Sequence, residues 1–299
     1  MLKNILCVRT DRFGEFLLTL PAIKALKDRY PGARISVMAQ KANLSLVSNV
    51  DYIDECLDCD HVDAAFLREK AYDCAIVFNP VKMIHRLIFK AQISRRIGYN
   101  RKWPFCLNQR FFDIRKLDRV LEWRRNFVLT SFVGVEDGDF CVPLSTEEIT
   151  GIENFDQDEK YIIFHPFTSD KRKEIDLEKW MVLAQRLTQR TGRKIILVGA
   201  PEEREMSESL ARDIGALNLV GRISLPQLAG LFKDNTFLFV GLDSGPMHLA
   251  SFFDVPLIGL FVDSDIKRWG PQGKRSIALW KHEIDYFIEE PEQFAGDLL

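Results

Sequence analysis

The stretch Thr236-Phe237-Leu238-Phe239-Val240-Gly241-Leu242-Asp243-Ser244-Gly245-Pro246-Met247-His248-Leu249-Ala250 decides how the rest of the chain is read. Its first seven residues suit a parallel strand covered on both faces, and Asp243 and Ser244 then offer side chains able to cap a helix. Pro246 fits the first helical turn, where a missing N–H costs nothing, and apolar periodicity carries the helix on through residue 253. A strand that runs into a helix is the repeating unit of an open parallel sheet.

The same unit recurs in both directions. Around this stretch, strands are expected at Tyr161–His165, 194–198, 218–220 and 255–261, with helices at Leu177–Thr191, 201–214 and Leu225–Asp234. Towards the N-terminus, strands at Asn4–Val8, 34–38, 52–57, 72–78 and 96–99 alternate with helices at 16–26, 44–50, 64–70 and 82–93. Between 134 and 158 the periodicity gives way to Gly, Asp, Glu and Ser around Pro143, the composition of an exposed connection. The 299 residues also exceed what one core usually serves. The expected fold is α/β, two Rossmann-like, doubly wound parallel-sheet domains at 1–150 and 151–275 whose facing carboxyl ends form a central cleft. Residues 276–299, with Trp280, Tyr286, Phe287 and Phe294, read as a closing segment that can return to the first domain.

Composition removes several function classes. The 41 Lys and Arg against 43 Asp and Glu give a net charge of −2, which makes no whole-chain case for a nucleic-acid binder. The charge is unevenly spread. Residues 81–125 hold thirteen Lys and Arg against only Asp113, Asp118 and Glu122, a local excess that attracts anionic surfaces or substrates. The apolar run at Ile5 is too soon broken by Arg9, Asp11 and Arg12 for a signal peptide or a membrane span, so a cytoplasmic protein is expected. Six irregularly spaced cysteines read as free thiols. Cys56-x-x-Cys59 with His61 is half a zinc pattern, but no second pair follows, and no metal site is expected. Neither a Gly-x-Gly-x-x-Gly nor a Walker sequence occurs, nor His-Glu-x-x-His or Gly-x-Ser-x-Gly, so dehydrogenase, P-loop and common hydrolase readings lose their support.

Three loops at strand ends hold residue types suited to chemistry. At Asp243-Ser244-Gly245-Pro246-Met247-His248, unpaired N–H groups and the positive end of a helix suit a diphosphate, or else Asp243 and Ser244 only cap and His248 only packs. At His165-Pro166-Phe167-Thr168-Ser169-Asp170-Lys171-Arg172-Lys173, two hydroxyls and three cations suit phosphate oxygens, although such charge runs are often simply solvated. At Arg9-Thr10-Asp11-Arg12-Phe13-Gly14-Glu15, Asp11 or Glu15 can present a carboxylate as general base, or Glu15 can be an acidic cap.

These segments, in this order, resemble glycosyltransferase family 9, the heptosyltransferases of lipopolysaccharide assembly. The N-terminal likeness is Arg9-x-Asp11-Arg12-x-Gly14-Glu15 followed by Leu18-Thr19-Leu20-Pro21-Ala22-Ile23. The C-terminal one is Asp243-Ser244-Gly245-Pro246-x-His248-Leu249-Ala250, then Val255-Pro256, Gly259-Leu260-Phe261 and Trp269-Gly270-Pro271. The resemblance implies a GT-B fold and an inverting, metal-independent transfer of heptose from ADP-heptose to the lipid A–core acceptor, with the nucleotide sugar as substrate and no cofactor. It implies a donor site of Thr168, Ser169, Lys173, Asp243, Ser244, Gly245 and His248, and a base at Glu15 or Asp11, the family's aspartate being replaced here by Glu15. Arg12, Arg124 and Arg125 are expected on the acceptor side, and the basic stretch at the cytoplasmic face of the inner membrane. A member using another nucleotide sugar or acceptor, and a catalytically silent nucleotide-sugar-binding scaffold, are the alternatives.

Overall fold

The computed structural model describes residues 2–168 and 170–295, and the chain divides into two compact units between Ser145 and Thr146. In the first unit, β1 (Asn4–Val8), β2 (Arg34–Ala39), β3 (Glu55–Asp58), β4 (Cys74–Val77), β5 (Arg95–Tyr99) and β6 (Gln109–Phe111) form a parallel sheet. Its order is β3-β2-β1-β4-β5-β6. The helices are α1 (Phe13–Leu17), α2 (Leu20–Arg29), α3 (Lys41–Leu44), α4 (Ala64–Glu69), α5 (Lys82–Lys90), α6 (Glu122–Arg125) and α7 (Phe127–Thr130). β4 is buried from end to end and β1 from Ile5 onward, which is why they read as unbroken apolar runs. Leu6, Val8, Met38, Ala75 and Val77 meet Ile84 and Ile88 of α5 in one core.

Two expected helices are reshaped. The helix read over 16–26 is broken into α1 and α2, because Pro21 has no N–H and in a continuous helix its ring would collide with the Leu17 carbonyl. The Thr19 hydroxyl closes the break by donating to the Glu15 carbonyl at 2.9 Å. The helix read over 44–50 is α3 followed by one tighter turn at Ser45–Val47. β6 is a strand the sequence does not signal: all three of its residues are half-buried at the sheet edge, so neither alternation nor an apolar run marks it.

The second unit repeats the plan with β7 (Tyr161–His165), β8 (Ile195–Leu197), β9 (Leu217–Asn218), β10 (Thr236–Leu242), β11 (Leu257–Phe261) and β12 (Ser276–Trp280). They pair in parallel in the order β12-β11-β10-β7-β8-β9. The helices are α8 (Leu177–Thr191), α9 (Arg204–Ile214), α10 (Leu225–Asp234), α11 (Gly245–Phe252), α12 (Ile266–Trp269), α13 (Lys281–Glu289) and α14 (Pro291–Ala295). Phe164 and Trp180 pack edge to face at 5.1 Å within a core that includes Leu183, Leu197, Val240 and Leu260. Counted from its own first strand, each sheet has the order 3-2-1-4-5-6. The first and fourth strands are therefore neighbours mid-sheet, and their connections leave in opposite directions, the point where open α/β sheets receive ligands.

Two boundary readings change. Residues 276–289 are not a separate closing segment: β12 extends the second sheet beside β11, and α13 contributes Ile284, Phe287 and Ile288 to the second core. The connection over 134–158 is also less exposed than its composition implies. Val135 and Val142 are buried, Tyr52 donates its hydroxyl to the Pro143 carbonyl at 2.9 Å and the Ser145 N–H reaches the Leu46 carbonyl, all within the first unit. The Glu147 N–H bonds to the Pro226 carbonyl within the second. Among the described residues, no helix is long and apolar enough to cross a membrane.

Candidate active site

In the second unit, adjacent β7 and β10 deliver the two loops singled out in the sequence, with His165 opposite Gly241 in the ladder. A Cβ on Gly241 would lie 3.2 Å from the His165 Cβ and only 2.5 Å from the Phe239 ring, so glycine lets the strands and ring close up here. Asp243, almost fully buried, is the hub. One carboxylate oxygen takes the Lys173 ammonium at 3.0 Å, and the other lies 3.7 Å from His248 Nε2. The His248 ring faces Trp269 at 6.2 Å, and the Arg268 guanidinium lies over Trp269.

Ser244 occupies the cap position of α11 but does not cap it through its side chain. Its hydroxyl donates to the Leu242 carbonyl at 2.9 Å and lies 3.0 Å from His165 Nδ1, so among the described residues the cap position leaves the first N–H groups of the helix free of its own side chain. Of the two sequence readings of this loop, simple capping by Ser244 is thereby set aside. A helix start that its cap residue leaves open, beside a lysine, is chemically suited to an anion.

The 165–173 loop is more ordered than a solvated charge run. The Thr168 hydroxyl accepts from the Asp170 N–H at 3.1 Å, and Asp170 caps the turn Lys171–Lys173. Arg172 bridges Asp170 at 2.6 Å and Asp263 at 3.3 Å, and the Arg172 hydrogen bond brings the Asp170 carboxyl down to about 2. Ser169 lies outside the described residues. Phe167 is buried edge to face on His165.

Sequence reasoning missed Glu203. Its carboxylate accepts from the Ala200 N–H at 2.7 Å and lies 3.6 Å from His165 Nε2. An acid at a helix start reads as a cap, which it also is, so the sequence holds no separate signal for the histidine contact. Asn218 is engaged internally, accepting from the Val220 N–H and donating to Ser207.

In the first unit, the loop after β1 carries the candidate base. Buried Arg9 donates through Nε to Asp11 at 2.6 Å, and its guanidinium also meets Asn126, the Phe78 carbonyl and, at 3.7 Å, buried Glu122. Asp11 is thus tied into an ion pair. Glu15, in the first turn of α1, has no ion pair among the described residues. Burial pushes its carboxyl above the ordinary range; its own backbone N–H opposes the rise, Asp11 adds to it, and Arg9 and Arg12 lower it.

The expected acceptor-side arginines separate. Arg12 is exposed beside Glu15 in the chain, and Arg124 is exposed over the Trp123 ring, 3.4 Å from Asp137. Arg125 is internal, 3.5 Å from Glu122 with less than a tenth of its side chain exposed, so it holds the fold rather than facing a solute. Cys56 and Cys59 do not act together: Cys56 contacts the Val47 carbonyl through its thiol, whereas Cys59 sits with Asp58 and Asp60 in an exposed turn.

The family model described as glycosyltransferase family 9 (heptosyltransferase) matches residues 64–290. Lipopolysaccharide heptosyltransferase 3 of Escherichia coli K12 is 23% identical over 312 residues, covering 91% of this chain and 89% of the relative. The structure of E. coli ADP-heptose lipopolysaccharide heptosyltransferase II superposes with a TM-score of 0.82 at 21% identity, over 99% of this chain and 98% of the other. That of E. coli heptosyltransferase WaaC with ADP gives 0.77 at 20% identity, over 99% and 100%. The shared fold is GT-B, with its tandem α/β sheets. The chain belongs to glycosyltransferase family 9, the heptosyltransferase family, and is a glycosyltransferase.

Proposed function

We propose that the protein is an inverting, metal-independent transferase that moves heptose from ADP-heptose to the lipid A–core acceptor of lipopolysaccharide, at the cytoplasmic face of the inner membrane. The observation that carries this is the Lys173–Asp243–His248 cluster beside the uncapped start of α11, at the switch point of the second sheet. A relative named as a lipopolysaccharide heptosyltransferase and a structural neighbour, heptosyltransferase WaaC, solved with ADP support the same donor class.

In this reading Thr168, Ser169, Lys173, Ser244, Gly245 and His248 bind the donor, and Asp243 positions Lys173 and His248. Glu15 takes the proton from the acceptor hydroxyl as that oxygen attacks the anomeric carbon, and the bond from that carbon to the diphosphate oxygen breaks. The electron pair leaves with ADP, whose charge Lys173 and the α11 amides offset. One displacement inverts the configuration. Glu15 is favoured over Asp11 because Arg9 already neutralises Asp11, whereas burial makes the Glu15 carboxylate more basic. Arg12 and Arg124 supply cations for acceptor phosphates.

The test is ADP release from ADP-heptose with and without heptose-deficient lipopolysaccharide core. Acceptor-dependent release that Glu15→Gln abolishes is the expected result. Loss only in Asp11→Asn moves the base to Asp11, and no release from the folded protein overturns the donor assignment in favour of another nucleotide sugar or a silent scaffold.

A further inference from the structure

Five large apolar side chains stand out from one region of the first unit: Met83 and Phe105 are 68% exposed, Phe112 65%, Phe89 50% and Trp103 39%. The helix α5 buries Ile84, His85 and Ile88 and turns Met83, Arg86, Phe89 and Lys90 to solvent. The exposed groups are joined. Arg96 lies 5.4 Å over the Phe89 ring and donates through Nε to the Cys106 carbonyl at 2.7 Å, while Trp103 stacks on Phe105 at 5.7 Å. The Asn100 N–H reaches the Phe111 carbonyl, and Arg110 lies over the adjoining Phe112.

This surface is built rather than loose. Buried His85 places Nδ1 2.7 Å from the Lys102 carbonyl and so fastens the 101–105 turn to α5. Lys102 and Trp103 both hold positive φ, 51° and 65°, a conformation that non-glycine residues keep only where their surroundings impose it. No acidic residue occurs between Asp73 and Asp113, so every formal charge among the exposed side chains here is positive.

We propose that this face is a docking surface for an anionic lipid bilayer, with Phe105, Trp103 and Phe89 entering the headgroup layer and Arg86, Lys90, Arg101 and Lys102 meeting lipid phosphates. Aromatic side chains at headgroup depth with cations between them are the chemistry of an interfacial anchor, and stable attachment takes both signals together. The occupant is argued from charge: a run of cations with no carboxylate among them complements a uniformly anionic headgroup layer. The inference deepens the transferase reading and rests on it for the lipid-borne acceptor.

Sedimentation with phosphatidylglycerol–phosphatidylcholine vesicles, against phosphatidylcholine alone, tests it. Binding is expected only to the anionic vesicles and to fall as salt rises. Arg86→Gln with Lys90→Gln weakens it about thirty-fold, and Trp103→Ser with Phe105→Ser at least about ten-fold. Brominated acyl chains quench wild-type tryptophan fluorescence, and Trp103→Phe loses that quenching while still binding. Unchanged affinity in both double variants, quenching that survives Trp103→Phe, or no vesicle binding by the folded protein overturns the proposal. The same variants, verified as folded by circular dichroism, are assayed on detergent-dispersed core acceptor. Retained transfer with lost vesicle binding isolates the surface, whereas vesicle binding by a protein that transfers nothing overturns the transferase reading and leaves the surface standing.

Discussion

Glu15 joins two properties that pull in opposite directions, a carboxylate useful only when ionised and a setting that resists ionisation. As the base it works deprotonated, so kcat/KM rises with pH through a value above the ordinary carboxylate range, and Glu15→Gln lowers kcat about 10²–10⁴-fold. The stability sign is opposite. Its pKa is raised in the fold, so its contribution is full below the unfolded value and is lost as pH rises through the folded one. Glutamine carries no such deficit, and calorimetry at neutral pH should find the Tm of Glu15→Gln unchanged or higher; a fall would assign Glu15 to the fold. Lys173→Ala is expected to lower kcat about 100-fold with a smaller rise in the donor KM, read by steady-state kinetics. Much of this cluster was legible because Asp243, His248 and Lys173 follow strand ends. The roles of Arg9 and Arg125 were not, since a basic residue in a basic stretch looks alike whether it meets a solute or a buried Glu122.

At the scale of elements, the apolar runs of β1, β4, β7 and β10 were readable because both of their faces are covered. Edge strands lack that signature: β6 is half-buried throughout, and β12 buries only Leu279 well. Pro21 breaks the helix although apolar spacing runs on both sides of it, because periodicity carries no information about a missing N–H. The close approach at Gly241 gives the element-scale test. Gly241→Ala must displace the Phe239 ring in the centre of the sheet, which should cost about 1–3 kcal/mol in chemical denaturation. Because His165 is opposite, donor affinity should fall as well; a variant of unchanged stability would show that the ring relaxes freely.

For the whole molecule, the same strand order in both sheets puts each candidate loop group at a switch point, and tandem α/β alternation made that plan visible before any contact was known. The division falls before the expected residue 150 because Ser145 still bonds to Leu46 of the first unit whereas Glu147 already bonds to Pro226 of the second. Binding should divide along the same line. ADP at about a hundred times its Kd stabilises the unit that holds it by about 2.7 kcal/mol. Hydrogen exchange should then show protection over 165–173 and 241–249 and none over 9–15, and equal protection in both would refute a donor site confined to the second unit. The division also has a consequence for how the protein is made. All six strands of the first sheet lie before Gln109–Phe111 ends, and that unit is complete at Ser145. A ribosome therefore delivers the first sheet with all its partners while the second is still being translated, and each core can close without waiting for residues from the other half.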